Sequence, residues 1–167
     1  FYIGAMVFQF PIGWLSDRMD RRILIVATSA IGFIAAFFAV VDADAFLIIV
    51  GSAFFIGGMS NPLYSLLIAY TNDFLELEDM ASASGGLLFL NGLGAISGPL
   101  LTGYLMTKMG PEGFFVILAF SMGLLTVYGF YRMTQRGISD VDTSSYATVL
   151  PTASVVAVEI AQELAIE

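Results

Sequence analysis

The sequence contains no cysteine and no histidine, and only 12% of its 167 residues are charged. The absence of cysteine excludes disulfides and thiolate metal sites, and the absence of histidine removes the commonest proton shuttle and metal ligand. The phosphate-binding glycine pattern of ATPases, G-x-x-x-x-G-K-[ST], is missing as well. We therefore expect no catalytic residue, no metal and no cofactor, and we predict that the protein is not an enzyme. The net charge is −8, and we expect no nucleic acid as a partner.

Apolar residues are abundant instead. They make up 58% of the chain, against roughly 45–50% in soluble domains. They form five runs, and the last four reach the length of about 20 residues that a helix needs to cross a bilayer. The interiors of these runs contain no Asp, Glu, Lys or Arg. Because a backbone in lipid must satisfy its own hydrogen bonds, we predict an all-α, polytopic membrane bundle with spans at about 1–15, 23–41, 46–70, 87–106 and 114–131.

The distribution of basic residues predicts the orientation of the bundle. With helices at these positions, every basic residue except Lys108 falls on one side of the membrane, and the positive-inside tendency makes that side the cytoplasm. Residues 1–136 are predicted to form the transmembrane bundle, and residues 137–167 an acidic cytoplasmic tail. Since Phe1 already lies inside an apolar run, we expect the chain to be a fragment of a longer protein.

A densely charged turn, GWLSDRMDRR (Gly13–Arg22), separates the first two runs. In such a turn a carboxylate can face a helix amino terminus, and arginines can face carboxylates of neighbouring elements. We expect Asp17 to lie near the start of the fourth span, around Gly85–Gly86. Contacts of this kind suit a latch that is made in one state of a bundle and broken in another. The alternative is that the arginines only mark a cytoplasmic loop.

The spacing within this turn, Gly13-x-Leu15-x-Asp17-Arg18-x-x-Arg21-Arg22, resembles the signature loop G-x-L-x-D-R-x-G-R-R of the major facilitator superfamily. Asp20 stands where the family usually has glycine. The resemblance implies a twelve-helix fold made of two six-helix halves, with the loop present once in each half. It also implies that the turn is the cytoplasmic latch motif, formed by Gly13, Leu15, Asp17, Arg18, Arg21 and Arg22, with Asp73 and Glu76 as its partners; a solvated acidic loop is the alternative for those two acids.

Three features bear on which half is present, and together they lead us to expect the C-terminal half. The third run lacks the arginine that the N-terminal half usually carries, and a cytosolic tail is expected after the fifth span. Both features favour helices 8–12 of the C-terminal half. The segment GAISGPLLTG (Gly94–Gly103) favours the other half, because it resembles the fifth helix of antiporters. The stretch from Asn61 to Gly103 resembles the YcaD-like branch of bacterial permeases in its Tyr-Ser-Leu, Asn-Asp and Gly-Leu-Gly-Ala-x-x-Gly-Pro elements.

The resemblance implies a secondary transporter in the bacterial inner membrane that moves a small solute by alternating access. Its partners would be the solute, the lipid bilayer and the N-terminal half of the same protein. A membrane sensor or assembly protein built on the same bundle is the alternative. An ionisable residue inside a span often marks a proton relay, and none is present here, so the coupling ion stays open.

Uncharged polar and small residues inside the runs complete the set of candidates. An unsatisfied amide in lipid is costly, so the large polar side chains contact either the solute or other helices. We expect the Asn61-Pro62 pair to interrupt the third span near its middle. The candidates for the substrate cavity are Tyr64, Asn61, Asn91 and Gln9. Small residues let membrane helices approach closely, and the candidates for helix packing or a hinge are Gly94, Gly98, Pro99 and Gly103.

Overall fold

The computed structural model describes residues 1–75 and 77–135. Glu76, Arg136 and the predicted tail at 137–167 therefore lie outside the described residues. Within the described part the chain is helical, without strands. The five helices are α1 (Tyr2–Ser16), α2 (Arg21–Val41), α3 (Phe46–Asn72), α4 (Leu77–Met109) and α5 (Gly113–Gln135).

Four helices, α2 to α5, are long and apolar enough to cross a membrane, whereas α1 has 15 residues. The prediction of an all-α membrane bundle is thereby confirmed. The connections between α1 and α2 and between α2 and α3 are short, as is usual for helices that run antiparallel to their neighbours. The turn from α4 to α5 passes through Gly110, whose φ of 85° is a conformation that glycine adopts without steric cost.

The fourth helix is longer than the apolar run that predicted it, because it begins at Leu77 rather than at Leu87. The segment 71–86, which the hydropathy pattern places outside the spans, is therefore mostly helical. Acidic residues such as Asp79 are favourable in a first helical turn, where the backbone N–H groups carry partial positive charge. The alanines and serines that follow do not stop a helix, although they give no apolar signal.

The interruption expected at Asn61-Pro62 is wrong, because α3 is continuous from Phe46 to Asn72. A proline removes one backbone hydrogen bond and crowds the carbonyl four residues earlier. Here Pro62 is almost fully buried, and the residue four positions earlier is Gly58, which adds no side chain to the crowded turn. Neighbouring helices enclose this part of α3 on both sides, so packing holds the helix together across the proline.

The helices lie side by side in the spatial order α1, α3, α2, α5, α4. Helix α1 approaches α3 very closely at Gly4, where a Cβ atom would overlap the backbone carbonyl of Phe54. The α2–α3 interface holds a cluster of buried apolar side chains that includes Leu24, Leu63 and Leu66. The core therefore lies around α2 and α3, and α5 covers the other face of α2.

Helix α4 packs against α5 at the edge of this row. Its apolar side chains are largely exposed, for example Phe89, Ile96 and Leu100. At Gly94 and Gly98 a Cβ atom would meet nothing within 4 Å. This face of α4 therefore has no covering helix among the described residues, and its role in helix packing stays a prediction.

Candidate functional site: the charged hairpin between α1 and α2

Two aspartates define the ends of the helices at the hairpin. Asp17 is the C-cap of α1, and its backbone N–H donates to the carbonyl of Gly13. Asp20 is the N-cap of α2, where its carboxylate accepts a hydrogen bond of 2.9 Å from the backbone N–H of Arg22. Such a cap satisfies one of the N–H groups that the first turn of a helix leaves unpaired. The hairpin is thus a tight turn closed by its own acidic residues.

Asp20 also fixes the side chain of Arg22. The Nε of Arg22 donates to both carboxylate oxygens at 3.1 Å, and a terminal nitrogen donates to Oδ2 at 2.8 Å. The hydrogen bonds from Arg22 lower the pKa of the Asp20 carboxyl below its ordinary value, against the opposing effect of partial burial. Asp20, which stands where the family usually has glycine, is therefore both the N-cap of α2 and the ion-pair partner of Arg22.

Arg21 points into the bundle, with only 1% of the residue exposed. Its Nε donates to the Ser16 hydroxyl and a terminal nitrogen donates to the Ala69 carbonyl, both at 3.2 Å. The same terminal nitrogen donates to Asp73 Oδ1 at 2.5 Å, and the Asp73 side chain is 8% exposed. Since a buried charge needs a partner and hydrogen bonds, this arrangement ties the hairpin to the end of α3.

The other residues of the motif lie closer to the surface or serve the core. Arg18 is exposed, stacks on the Trp14 ring at 4.1 Å from its centroid, and donates to the Trp14 carbonyl. Asp17 is exposed as well, whereas Gly13 is buried and Leu15 packs against the apolar cluster between α2 and α3. The motif therefore divides into an anchored part and a part that faces the surface.

The structure brings some of the predicted partners together and separates others. Arg21 meets Asp73, while the second predicted partner, Glu76, is outside the described residues. The amino terminus expected at Gly85–Gly86 is not there, because both glycines lie inside α4 and helix formation begins at Leu77. Interior N–H groups of a helix bond to carbonyls four residues earlier. A dipole contact of Asp17 at Gly85–Gly86 is therefore a wrong expectation.

The substrate-cavity candidates occupy three helices. Asn61 and Tyr64 lie three residues apart on one side of α3, and both are half-buried. Gln9 lies half-buried on α1, which packs against α3. Asn91 lies on α4, whose main neighbour is α5. The arrangement brings the α1 and α3 candidates onto neighbouring helices, and their contact with a solute stays a prediction.

Sequence reasoning missed the residues that complete the hairpin. The Ser16 hydroxyl and the Ala69 carbonyl give no sequence signal, because a short polar side chain and a backbone carbonyl are present everywhere. Asp20 did carry a signal: an aspartate directly before an apolar helix is a common N-cap. The four-residue spacing of Trp14 and Arg18 likewise matches side chains that meet on one helix face.

The comparisons with known proteins agree with this architecture. The sequence profile of the Major Facilitator Superfamily matches residues 1–156. The uncharacterized MFS-type transporter YfkF of Bacillus subtilis (strain 168) is 32% identical over 125 residues, which cover 73% of this chain and 31% of YfkF. The chain thus spans less than a third of that relative's length, and no solved structure matches it. On this evidence the chain belongs to the major facilitator superfamily of membrane transport proteins.

Proposed function

We propose that this chain is the C-terminal half of a secondary transporter, with α1 to α5 as helices 8–12 of the family's fold. Family membership supports membrane transport, with no enzymatic step, as the activity. The observation that carries the proposal is the Gly13–Arg22 hairpin, which follows the family's loop and is held in place by a buried ion pair. The absence of arginine from α3 supports the C-terminal half.

The finer assignments of this proposal follow from the same residues. The Asn61–Gly103 segment supports membership of the YcaD-like branch, and thus a place in the bacterial inner membrane. The basic residues at the α1–α2 turn and at the end of α5 support a cytoplasmic location for that side of the bundle and for the tail. The cargo would be a small solute, moved by rocking of two halves around a central site.

Within the hairpin we assign two different roles. The Arg21–Asp73 pair joins α2 to α3, which are packed neighbours in one row of helices. Movement of one half against the other does not need to separate these two helices, so the pair is proposed as a fixed anchor. Asp17 and Arg18 lie on the exposed side of the same turn. They are proposed as the latch residues whose contacts change between the outward-facing and inward-facing states.

The uncovered helix faces support a site between two halves. Helix α4 is apolar enough to span the membrane, and within residues 1–75 and 77–135 it packs mainly against α5. We propose that its small-residue face at Gly94 and Gly98 packs against the N-terminal half. The half-buried candidates Asn61, Tyr64, Asn91 and Gln9 would then line the solute path.

The test measures the conformational equilibrium of the full-length protein with the exchange Asp17→Asn. Spin labels on the cytoplasmic side of each half report the distance that grows when the protein opens inward. We assign to Asp17 one surface ion contact with the other half in the outward-facing state. Such a contact is worth up to about 1 kcal/mol, so its loss should raise the ratio of inward-facing to outward-facing molecules roughly two- to fivefold. Asp44→Asn, an equal charge change in the exposed turn between α2 and α3, should leave the ratio unchanged.

Two results would contradict the proposal. An unchanged distance distribution in a correctly folded Asp17→Asn protein would exclude the latch. A full-length protein in liposomes that accumulates no solute from a broad panel, while its distances never change with any of those solutes, would favour a sensor or assembly role.

A further inference from the structure

A cavity of about 170 Å³ lies between α2, α3 and α5, and its lining includes none of the candidate substrate residues. Each helix contributes one of its faces: residues 22, 25 and 26 from α2, residues 67 and 70 from α3, and residues 125, 128, 129, 132 and 133 from α5. These spacings of three and four residues place the side chains of each helix on one side. The cavity includes the first turn of α2 and the last turn of α5, so it lies at one end of the bundle, where the spans meet the membrane surface.

The lining of this cavity combines four polar side chains, here called the rim, with apolar side chains, here called the floor. Four side chains can donate hydrogen bonds: Arg22, Arg132, Tyr70 and Tyr128. The floor consists mainly of aliphatic side chains such as Ile25, Val26, Leu67 and Leu125. Tyrosine and arginine are typical of the membrane–water boundary, where one end of a side chain is apolar and the other meets polar groups.

The charge of the rim is positive. Arg22 is bound to Asp20 through three hydrogen bonds of its guanidinium, which hold it in position. Arg132 is half-buried, and in the parts of the chain that the structure describes no carboxylate forms an ion pair with it. The pair Arg22–Asp20 is neutral overall, so Arg132 supplies the net charge. An anion in the cavity would therefore neutralise the partly buried charge of Arg132, for which the described residues supply no counter-ion.

We propose that this cavity binds one anionic phospholipid. Arg132 and Arg22 would hold the phosphate, with the tyrosine hydroxyls as further donors, and the first carbons of an acyl chain would lie on the aliphatic floor. Charge complementarity selects an anion, and basic pockets between membrane helices are known to take lipid head groups. The apolar floor selects a lipid over free phosphate, which has nothing to place on it. The proposal is independent of solute transport.

The experiment titrates the purified full-length protein with lipids and counts bound molecules by native mass spectrometry. The probes are phosphatidylglycerol, phosphatidylcholine with the same acyl chains, and inorganic phosphate. Removing one basic residue near the head group is expected to weaken binding of the anionic lipid about fivefold, so Arg132→Gln should lower the affinity for phosphatidylglycerol by that factor. Arg132→Lys keeps the charge and should stay within about twofold of the parent.

The matched control is Lys108→Gln, which removes an equal charge. Lys108 lies in the last turn of α4, beside the short turn that leads into α5, whereas Arg132 lies in the last turn of α5. The two residues are therefore at opposite ends of the bundle. It should not change phosphatidylglycerol binding.

The proposal fails if Lys108→Gln weakens binding as much as Arg132→Gln does, or if the two lipids bind equally. Displacement of the lipid by millimolar inorganic phosphate would assign the cavity to free anions. If the lipid binds only after residues 137–167 are deleted, the cavity would be assigned to the tail as its occupant in the full-length protein. Either result would overturn the proposal.

Discussion

Removal of the Asp73 carboxylate is the most informative perturbation of the hairpin, because it removes the anion of the ion pair that Arg21 forms while it is buried. Breaking a buried ion pair in this way costs about 3–5 kcal/mol in general. Two features lower that figure here. Arg21 keeps the Ser16 hydroxyl and the Ala69 carbonyl as acceptors, and Asp73 is the C-cap of α3, where a negative charge is unfavourable by about 0.3–1 kcal/mol.

We therefore expect Asp73→Ala to lower the free energy of unfolding by about 2–4 kcal/mol. Asp73→Asn keeps one acceptor oxygen, loses the charge and replaces the second oxygen by an NH2 donor, so it should cost about 1–2 kcal/mol. The double variant Arg21→Met with Asp73→Leu replaces the pair by apolar side chains of similar size. Its cost should be well below the sum of the two single changes, since no unpaired charge remains buried.

The assay is equilibrium unfolding of the full-length protein in mixed micelles with increasing dodecyl sulfate. Asp44→Ala is the matched control, because this carboxylate lies in an exposed turn and its loss should change stability by no more than about 0.5 kcal/mol. If Asp73→Ala unfolds at the same denaturant concentration as Asp44→Ala, the anchor role of the pair is refuted.

Two further predictions concern packing and pH. Gly4→Ala should destabilise the protein by about 1–3 kcal/mol, because the new methyl group would overlap the Phe54 backbone carbonyl. The control Gly51→Ala should not destabilise it, since nothing lies within 4 Å of its Cβ position. Equal unfolding midpoints for the two variants would contradict the close approach of α1 and α3. The lowered pKa of Asp20 means that its stabilising contribution is complete above the ordinary aspartate value of 3.8 and is lost as the pH falls through the lower folded-state pKa. The difference in unfolding midpoint between the parent and Asp20→Asn should therefore be constant from pH 5 to pH 7 and shrink below about pH 4, and a difference that grows on acidification would be inconsistent with this pair.

The apolar runs predicted the positions of three of the described helices for a simple physical reason. A run of about 20 residues without charge has few stable places other than a bilayer, so α2, α3 and α5 begin and end within a few residues of the predicted limits. The start of α4 was not predictable in the same way, because the turns of a helix that lie in water need no apolar residues. Hydropathy therefore detects only the part of α4 that requires lipid.

The hairpin shows a second limit of sequence reasoning. The spacing of Asp17, Arg18, Arg21 and Arg22 identified the motif, and the acidic residues after the third run suggested Asp73 as a partner. Which arginine points inward depends on the phase of α2 relative to α3, and that phase is set by packing of the whole interface. The cavity lined by Arg132 and Tyr70 was equally invisible, because it exists only where α5 lies beside α2, far from it along the chain.

The neighbourhood of α2 and α5 also has a consequence for how the protein is assembled during synthesis. Helix α2 is made before α5, yet α5 covers one of its faces, and a hydrogen bond of 3.1 Å joins Ser29 to Thr126 across 97 positions of the chain. Contacts of such sequence separation form late. Until α5 leaves the ribosome, the buried polar groups Thr28 and Ser29 must rely on carbonyls of their own helix. Because these hydrogen bonds lie within α2, the helix can remain in the bilayer with its hydroxyls satisfied before α5 packs against it.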